Sequence, residues 1–158
     1  MTQSTLQRLK ELTTQLEVSE SKESLLALRL KTVLNAAGAG IWDWELSKDI
    51  LRWDSRMVKL FGYKEEDLKT DGEGWYLLRY RNFIERVHPA DRERVQNSID
   101  SCLHDNKPYR VTYRVVDNNG KEFLIIQASG DVYSDKTGKP ERLVGVCIAL
   151  ETALFDGQ

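Results

Sequence analysis

Three segments near the C-terminal end of the chain carry apolar patterns that predict β-strands. Tyr109–Val116 alternates apolar and polar positions, as a strand with one buried face does. Residues 123–133 follow after Asn119 and Gly120, a pair that tolerates the backbone of a tight hairpin. Residues 143–150 are apolar almost throughout, which favours a strand buried on both faces or placed in mid-sheet. The three segments predict an antiparallel meander with one apolar face.

Shorter apolar segments precede the meander. Residues 41–46 alternate cleanly and residues 50–53 form a second short run, so we expect two further strands. Asp54 and Asp91 are suitable N-caps for helices that follow them. Helical spacing predicts three helices, at residues 55–61, 75–87 and 92–104. This order of elements predicts an α+β fold, a five-stranded antiparallel sheet with short helices on one face.

Residues 1–34 differ from the rest of the chain because they contain no Gly, Pro or aromatic residue. Their apolar side chains recur at alternating spacings of three and four, interrupted by Ser19 and Glu23. This heptad seam consists of Leu9, Leu12, Leu16, Leu26, Leu30 and Val33. A narrow seam favours a long amphipathic helix that pairs with its copy in a homodimer. Two alternatives remain: a helix folded back on its own sheet, and a break within residues 19–24.

Composition limits the classes of function. The chain has 158 residues and a net charge of −2, which gives no electrostatic case for binding nucleic acid or an anionic membrane. Cys102 and Cys147 are the only cysteines and are far apart, so neither a disulfide framework nor a metal site is expected. Residues 1–30 are too polar for a signal peptide, and no apolar run is long enough for membrane insertion. We expect a cytoplasmic protein.

Five short motifs in this order resemble those of the PAS domain. In particular they resemble the subgroup with a Trp-x-Trp first strand and a His-Pro-x-Asp-Arg segment. The resemblance covers about residues 30–151. The motifs are Gly-Ile-Trp-Asp-Trp-Glu at 40–45, Phe-Gly-Tyr at 61–63, Val-His-Pro-Ala-Asp-Arg at 87–92, Tyr-Arg at 113–114 with Asn-Gly at 119–120, and Leu-Val-Gly at 143–145.

The resemblance implies an organisation and a general role. PAS domains are sensory modules that bind a small ligand or only dimerise, and they pass a conformational bias to an effector through flanking helices. On this basis residues 1–34 are the signalling or coiled-coil helix, 35–151 the PAS domain and 152–158 a C-terminal tail. The subgroup usually ends its last strand with Asp-Ile-Thr, and here residues 149–151 are Ala-Leu-Glu. That departure shifts the expected route of output to the N-terminal helix, unless the chain is a piece of a longer receptor.

Neither catalysis nor a bound prosthetic group is expected. No nucleophile lies beside a base, so no catalytic residue is nominated and the protein is not expected to be an enzyme. Haem-binding PAS members carry an axial His on the long helix, but His104 stands at the charged end of that helix, where a solvated His suits the helix dipole. The flavin-binding branch needs an Asn-Cys-Arg motif, which is absent. Haem and a photochemical flavin are therefore not expected, and the identity of any cofactor stays open.

A pocket for a small molecule is the remaining candidate site. Its predicted lining is Trp42, Trp44, Ile99, Tyr113 and Arg114, the last as an anion contact if the strand turns that way. The alternative is that the same aromatic side chains fill the interior completely.

The sequence therefore predicts a sensory PAS domain of a sensor kinase or cyclase. We expect it to dimerise through its N-terminal helix, to act on an effector domain or partner signalling protein, and to have a small-molecule ligand as a candidate partner. The alternative function is a ligand-free PAS module that holds two effectors together.

Overall fold

The computed structural model describes residues 2–152 of the chain, with side chains described as far as Leu150. It divides into two compact units at the boundary between Ala37 and Gly38. Of the predicted C-terminal tail, 152–158, only Thr152 is described, as the last residue of a strand, and 153–158 lie outside the described residues.

The first unit is a single helix, α1 (Gln3–Ala37). It runs without interruption through residues 19–24, so the break considered at that point does not occur. Leucine, lysine and glutamate all favour the helix, and Gly38 follows its end with a φ of +67° that suits a residue without a side chain. None of its described side chains is buried. The helix is about 52 Å long at 1.5 Å per residue.

The described part of the second unit, residues 38–152, contains one antiparallel sheet and three α-helices. Within the described residues the strands are β1 (Gly40–Glu45), β2 (Ile50–Trp53), β3 (Lys69–Thr70), β4 (Tyr76–Leu78), β5 (Tyr109–Val116), β6 (Glu122–Ser134) and β7 (Pro140–Thr152). Their spatial order is β3-β4-β2-β1-β7-β6-β5. The helices are α2 (Ser55–Leu60), α3 (Tyr80–Ile84) and α4 (Arg92–Asp105), with short 3-10 turns at Glu65–Asp67 and Pro89–Asp91.

The α+β class and the antiparallel sheet are confirmed, but the prediction of five strands was wrong because the described sheet has seven. The two additional strands, β3 and β4, extend the sheet beyond β2. The predicted helix at 75–87 is instead β4 followed by α3. Leu51 on β2 pairs with Leu78 on β4, and this pairing satisfies backbone groups on the otherwise open edge of β2. The spacing of apolar residues along 75–87 cannot reveal such a pairing, because the partner strand is distant in sequence.

The core lies between one face of the sheet and the helical layer. In β5 the alternating residues Tyr109, Val111, Tyr113 and Val115 are buried, as their period of two predicts. The side chain of Asp54 caps α2 by accepting a hydrogen bond from the Met57 N–H at 2.9 Å. The apolar stripe of α4 consists of Val95, Ile99 and Cys102, all buried. These helices cover the centre of the sheet and enclose a small cavity.

Candidate ligand cavity

An apolar cavity of about 40 Å³ lies in the core of the second unit. The strands supply Trp42, Trp44, Tyr113, Ala128, Leu143 and Cys147 to its wall. The helices supply Met57, Tyr80, Phe83 and Ile99. Four of the five predicted pocket residues, Trp42, Trp44, Ile99 and Tyr113, are thus brought together, although they span more than 70 positions in sequence.

Arg114 does not line the cavity and the nomination of this residue was wrong. Successive residues of a strand point to opposite faces, so Tyr113 points into the core and Arg114 points away from it. The Arg114 guanidinium instead binds the carboxylate of Asp91, with Nη2 2.8 Å from Oδ1 and Nε 3.0 Å from Oδ2. It also lies 3.4 Å from Glu122 Oε1. Any anion contact from Arg114 would be outside the cavity.

Two glycines determine where the Trp42 side chain lies. Trp42 is paired with Gly145 on β7, and Gly145 is paired with Gly130 on β6. A Cβ added to either glycine would come within 2.6 Å of the indole ring. The ring therefore covers two strands that lack side chains here, and reaches Tyr109 edge to face with centroids 5.7 Å apart. Glycine inside a strand often marks a place where another group packs closely against the backbone, so Gly130 and Gly145 were a sequence signal of this contact.

The polar groups of the cavity wall are uncharged. The Trp42 indole N–H is buried and has no hydrogen-bond partner of normal geometry among the described residues; the Cys147 sulfur beside it is only a weak acceptor. The Tyr113 hydroxyl lies 3.7 Å from the Cys147 sulfur, a weak contact. Burial raises the pKa of the Cys147 thiol to about 12, while the Tyr113 hydroxyl and the Trp42 N–H beside it act in the opposite direction. Cys147 is therefore a protonated thiol at neutral pH and not a nucleophile.

The outer wall of the cavity is a pair of stacked rings held by Asp49. The rings of Trp44 and Tyr80 are 5.1 Å apart at 24°. One Asp49 oxygen accepts hydrogen bonds from the Trp44 N–H at 2.9 Å and from the Tyr80 backbone N–H at 3.0 Å. The Tyr80 hydroxyl donates to the Gln96 side chain. Asp49 and Tyr80 were missed by the sequence analysis, because their roles depend on a contact between residues 31 positions apart.

A charged cluster lies outside the cavity, where α4 meets β5. Asp91 is 6% exposed and accepts hydrogen bonds from the Arg114 backbone N–H as well as from its guanidinium. The Arg114 guanidinium holds the pKa of Asp91 well below its usual range. His88 Nδ1 accepts from the Ala90 N–H at 3.0 Å, and its Nε2 lies 3.1 Å from Glu122. These contacts fix the loop that enters α4.

Several site types find no support among the described residues. No group of three or more His, Cys, Asp and Glu side chains is placed to hold a metal ion. His104 is exposed, bonds to the Asp100 carbonyl at 2.9 Å through Nδ1, and does not line the cavity. The cavity is also far smaller than the roughly 300–1,000 Å³ of typical cofactor and ligand pockets. Between residues 2 and 152, no helix is both long enough and apolar enough to span a bilayer.

Comparison with known proteins assigns the family. A family model described as the PAS fold matches residues 50–147, which is more than half of the chain. The chain therefore belongs to the PAS fold family, and the family prediction is confirmed. The narrower assignment to the subgroup with Trp-x-Trp and His-Pro-x-Asp-Arg motifs stays a prediction.

Two relatives are much longer than this chain. The probable diguanylate cyclase DgcE of Escherichia coli is 30% identical over 132 residues, which is 84% of this chain and 11% of that protein. The sensor protein FixL of Bradyrhizobium diazoefficiens is 25% identical over 115 residues, which is 72% of this chain and 21% of that protein. The similarity is thus to a part of each relative.

Solved structures share the fold. A sensory box histidine kinase/response regulator from Burkholderia thailandensis is 27% identical, with a TM-score of 0.64 over 77% of this chain and 84% of that structure. The N-terminal domain of a diguanylate cyclase with PAS/PAC sensor from Marinobacter aquaeolei is 19% identical, with a TM-score of 0.57 over 71% of this chain and 94% of that one. The second similarity is one of fold alone.

Proposed function

We propose that this chain is the sensory input module of a signalling protein of the sensor kinase or cyclase type. Two copies pair through α1, and the state of the core cavity biases how the two helices pack. The proposal draws support from the relatives, which include a diguanylate cyclase, a sensor protein and a histidine kinase. A ligand acts on such an equilibrium only by binding one packing better than the other.

The exposed leucine seam of α1 is the observation that carries the proposal. Its members are between 44% and 64% exposed: Leu9, Leu12, Leu16, Leu26, Leu30 and Val33. Apolar side chains repeated along one line of a long helix are the pattern that a second helix covers in a coiled coil. Covering them at about 1 kcal/mol each on both helices gives roughly 12 kcal/mol. Association costs about 4–15 kcal/mol, so the pairing is reversible, as a switch requires.

The middle of the seam is its weakest part. Ser19 and Glu23 take the seam positions between the two leucine groups. In a parallel pair the two copies of Glu23 face each other, and like charges there oppose close packing. Two leucine groups joined by a weak centre allow the helices to change packing at one end without separating at the other.

Light scattering with matched leucine variants tests the pairing. Leu26 and Leu28 are 61% and 60% exposed, but only Leu26 lies on the seam. We expect Leu26→Gln combined with Leu30→Gln to convert dimer to monomer, whereas Leu25→Gln combined with Leu28→Gln leaves the dimer intact. Equal behaviour of the two double variants would show that the seam is not the interface. Loss of residues 1–30 provides a second check, because an intact dimer would then place the pairing elsewhere.

A ligand-free assembly module is the second candidate. The small volume of the cavity, about 40 Å³, favours it, because most of the interior is filled by side chains. Native mass spectrometry of the purified protein separates the two candidates. A bound small molecule supports sensing, whereas an empty protein whose dimerisation is unaffected by small molecules supports assembly alone.

A further inference from the structure

The absence of charged side chains from the described cavity wall restricts the net charge of any ligand. None of the described residues that line the cavity carries a charged side chain. An ion moved into such a wall loses its hydration without gaining a counter-ion, at a cost of several kcal/mol. The nearby charged group that faces the outer rings is Asp49, and its carboxylate is engaged by the Trp44 and Tyr80 N–H groups. A ligand of this cavity is therefore uncharged.

One polar group of the wall, the Trp42 indole N–H, lacks a hydrogen-bond acceptor of normal geometry among the described residues. The indole N–H of Trp42 can only donate, and a buried donor without a partner costs about 1–3 kcal/mol. Trp42 is 7% exposed, so water outside the protein does not satisfy this group. The ring lies against Gly130 and Gly145, where a Cβ at either position would meet it. The Cys147 sulfur beside the indole N–H is only a weak acceptor, so an oxygen acceptor within the core would satisfy this donor better.

The volume of the cavity sets the size of the ligand. A cavity of about 150 Å³ holds benzene, which has six heavy atoms. At about 40 Å³ this cavity admits two heavy atoms without rearrangement. A ligand of four heavy atoms would require the half-buried Trp44 and Tyr80 rings to shift against the hydrogen bonds that tie both residues to Asp49.

We propose that the cavity binds a small uncharged molecule of about two to four heavy atoms that bears one hydrogen-bond acceptor, such as a simple ketone or aldehyde, with the acceptor on the Trp42 N–H. This inference deepens the sensing form of the proposed function and rests on it for its biological meaning. The binding step itself depends only on the second unit and is tested without reference to pairing.

Nuclear magnetic resonance with three probes of similar size tests the inference. Acetone offers a carbonyl acceptor, acetate has the same shape with a charge, and xenon is apolar without an acceptor. The readouts are the indole N–H of Trp42, assigned by its loss in Trp42→Phe, and the methyl group of Met57 on the cavity wall. The indole of Trp75, which does not line the cavity, is the internal reference. Four heavy atoms bind with a dissociation constant between about 40 µM and about 0.1 M, which sets the titration range.

We expect acetone to shift the Trp42 N–H and the Met57 methyl together in a saturable way, and acetate to bind at least about tenfold more weakly. In Trp42→Phe, acetone affinity read from Met57 should fall about fivefold, the loss of one hydrogen bond. Equal binding of acetate would overturn the proposal. So would xenon binding with acetone silent, no response to any probe, or unchanged acetone affinity in Trp42→Phe. The leucine variants of α1 leave the cavity untouched, so failure here and failure of pairing are distinguishable.

Discussion

Replacement of Gly145 by alanine is expected to lower the free energy of unfolding by about 3 kcal/mol. The added Cβ would lie 2.0 Å from the Ser129 carbonyl oxygen, 2.5 Å from Trp42 Cζ2 and 2.8 Å from Gly130 Cα. Excess atoms in a packed core usually cost about 1–3 kcal/mol. Two of these three contacts are with backbone, which cannot turn aside as a side chain does, so the upper end of that range applies.

Urea denaturation followed by tryptophan fluorescence measures this loss. At an m-value of about 1.5 kcal/mol/M, a loss of 3 kcal/mol lowers the midpoint by about 2 M urea. Gly138→Ala is the control, because a Cβ there meets nothing within 4 Å and only the φ of +87° opposes it. That conformational strain amounts to about 1 kcal/mol. All samples are compared at one protein concentration, because dimerisation itself adds stability.

A double-mutant cycle identifies the cause of the loss. Trp42→Phe removes the ring atom nearest the new methyl group, so Gly145→Ala should be less damaging in that background by about 1 kcal/mol. A loss within 0.5 kcal/mol of the Gly138→Ala control would refute the reasoning. So would strict additivity of the Gly145 and Trp42 substitutions, because it would mean that the indole ring does not lie on the glycines.

Two further predictions concern carboxylates that hold the helical layer. Asp91→Asn should cost about 2 kcal/mol at pH 7, since it weakens charge-assisted bonds with Arg114. Because the pKa of Asp91 is lowered in the fold, that contribution is complete above about pH 4 and is lost on further acidification. Wild type and variant should therefore converge in urea titrations at low pH, and a constant gap would contradict this. Asp49→Ala should cost about 2 kcal/mol by leaving the Trp44 and Tyr80 donors unpaired, whereas Asp49→Asn keeps an acceptor oxygen and should be milder. If thermal unfolding shows the same loss of stability for Asp49→Ala and Asp49→Asn, Asp49 does not stabilise the fold by accepting these two hydrogen bonds.

The elements that the sequence predicted best are those whose pattern is local. The strand at residues 50–53 and the strand Tyr109–Val116 were predicted with the observed bounds, because alternation along a strand is a property of consecutive residues. The same alternation places Arg114 on the polar face of β5, opposite Tyr113. Its nomination as a pocket residue contradicted this alternation of buried and exposed positions, which the structure follows.

The elements that were missed depend on neighbours distant in sequence. Tyr76–Leu78 is only three residues long, and it is a strand because β2 offers an unpaired edge beside it. The polar residues at 19–24 suggested a break in the helix, but α1 continues through them. Serine and glutamate are tolerated there because the helix surface is exposed. Neither outcome can be read from a window of adjacent residues.

The sequence by itself determined the class of fold, the family, the leucine seam and the set of aromatic residues available to the core. Tertiary structure alone decided that Trp42 lies across Gly145 and Gly130, that its N–H has no partner of normal geometry among the described residues, and that Asp49 ties Trp44 to Tyr80. The physical reason is the separation in sequence of the residues that interact. Periodicity assigns each residue to a face, whereas the volume and hydrogen bonding of an interior depend on which residues, up to about a hundred positions apart, the sheet register places together.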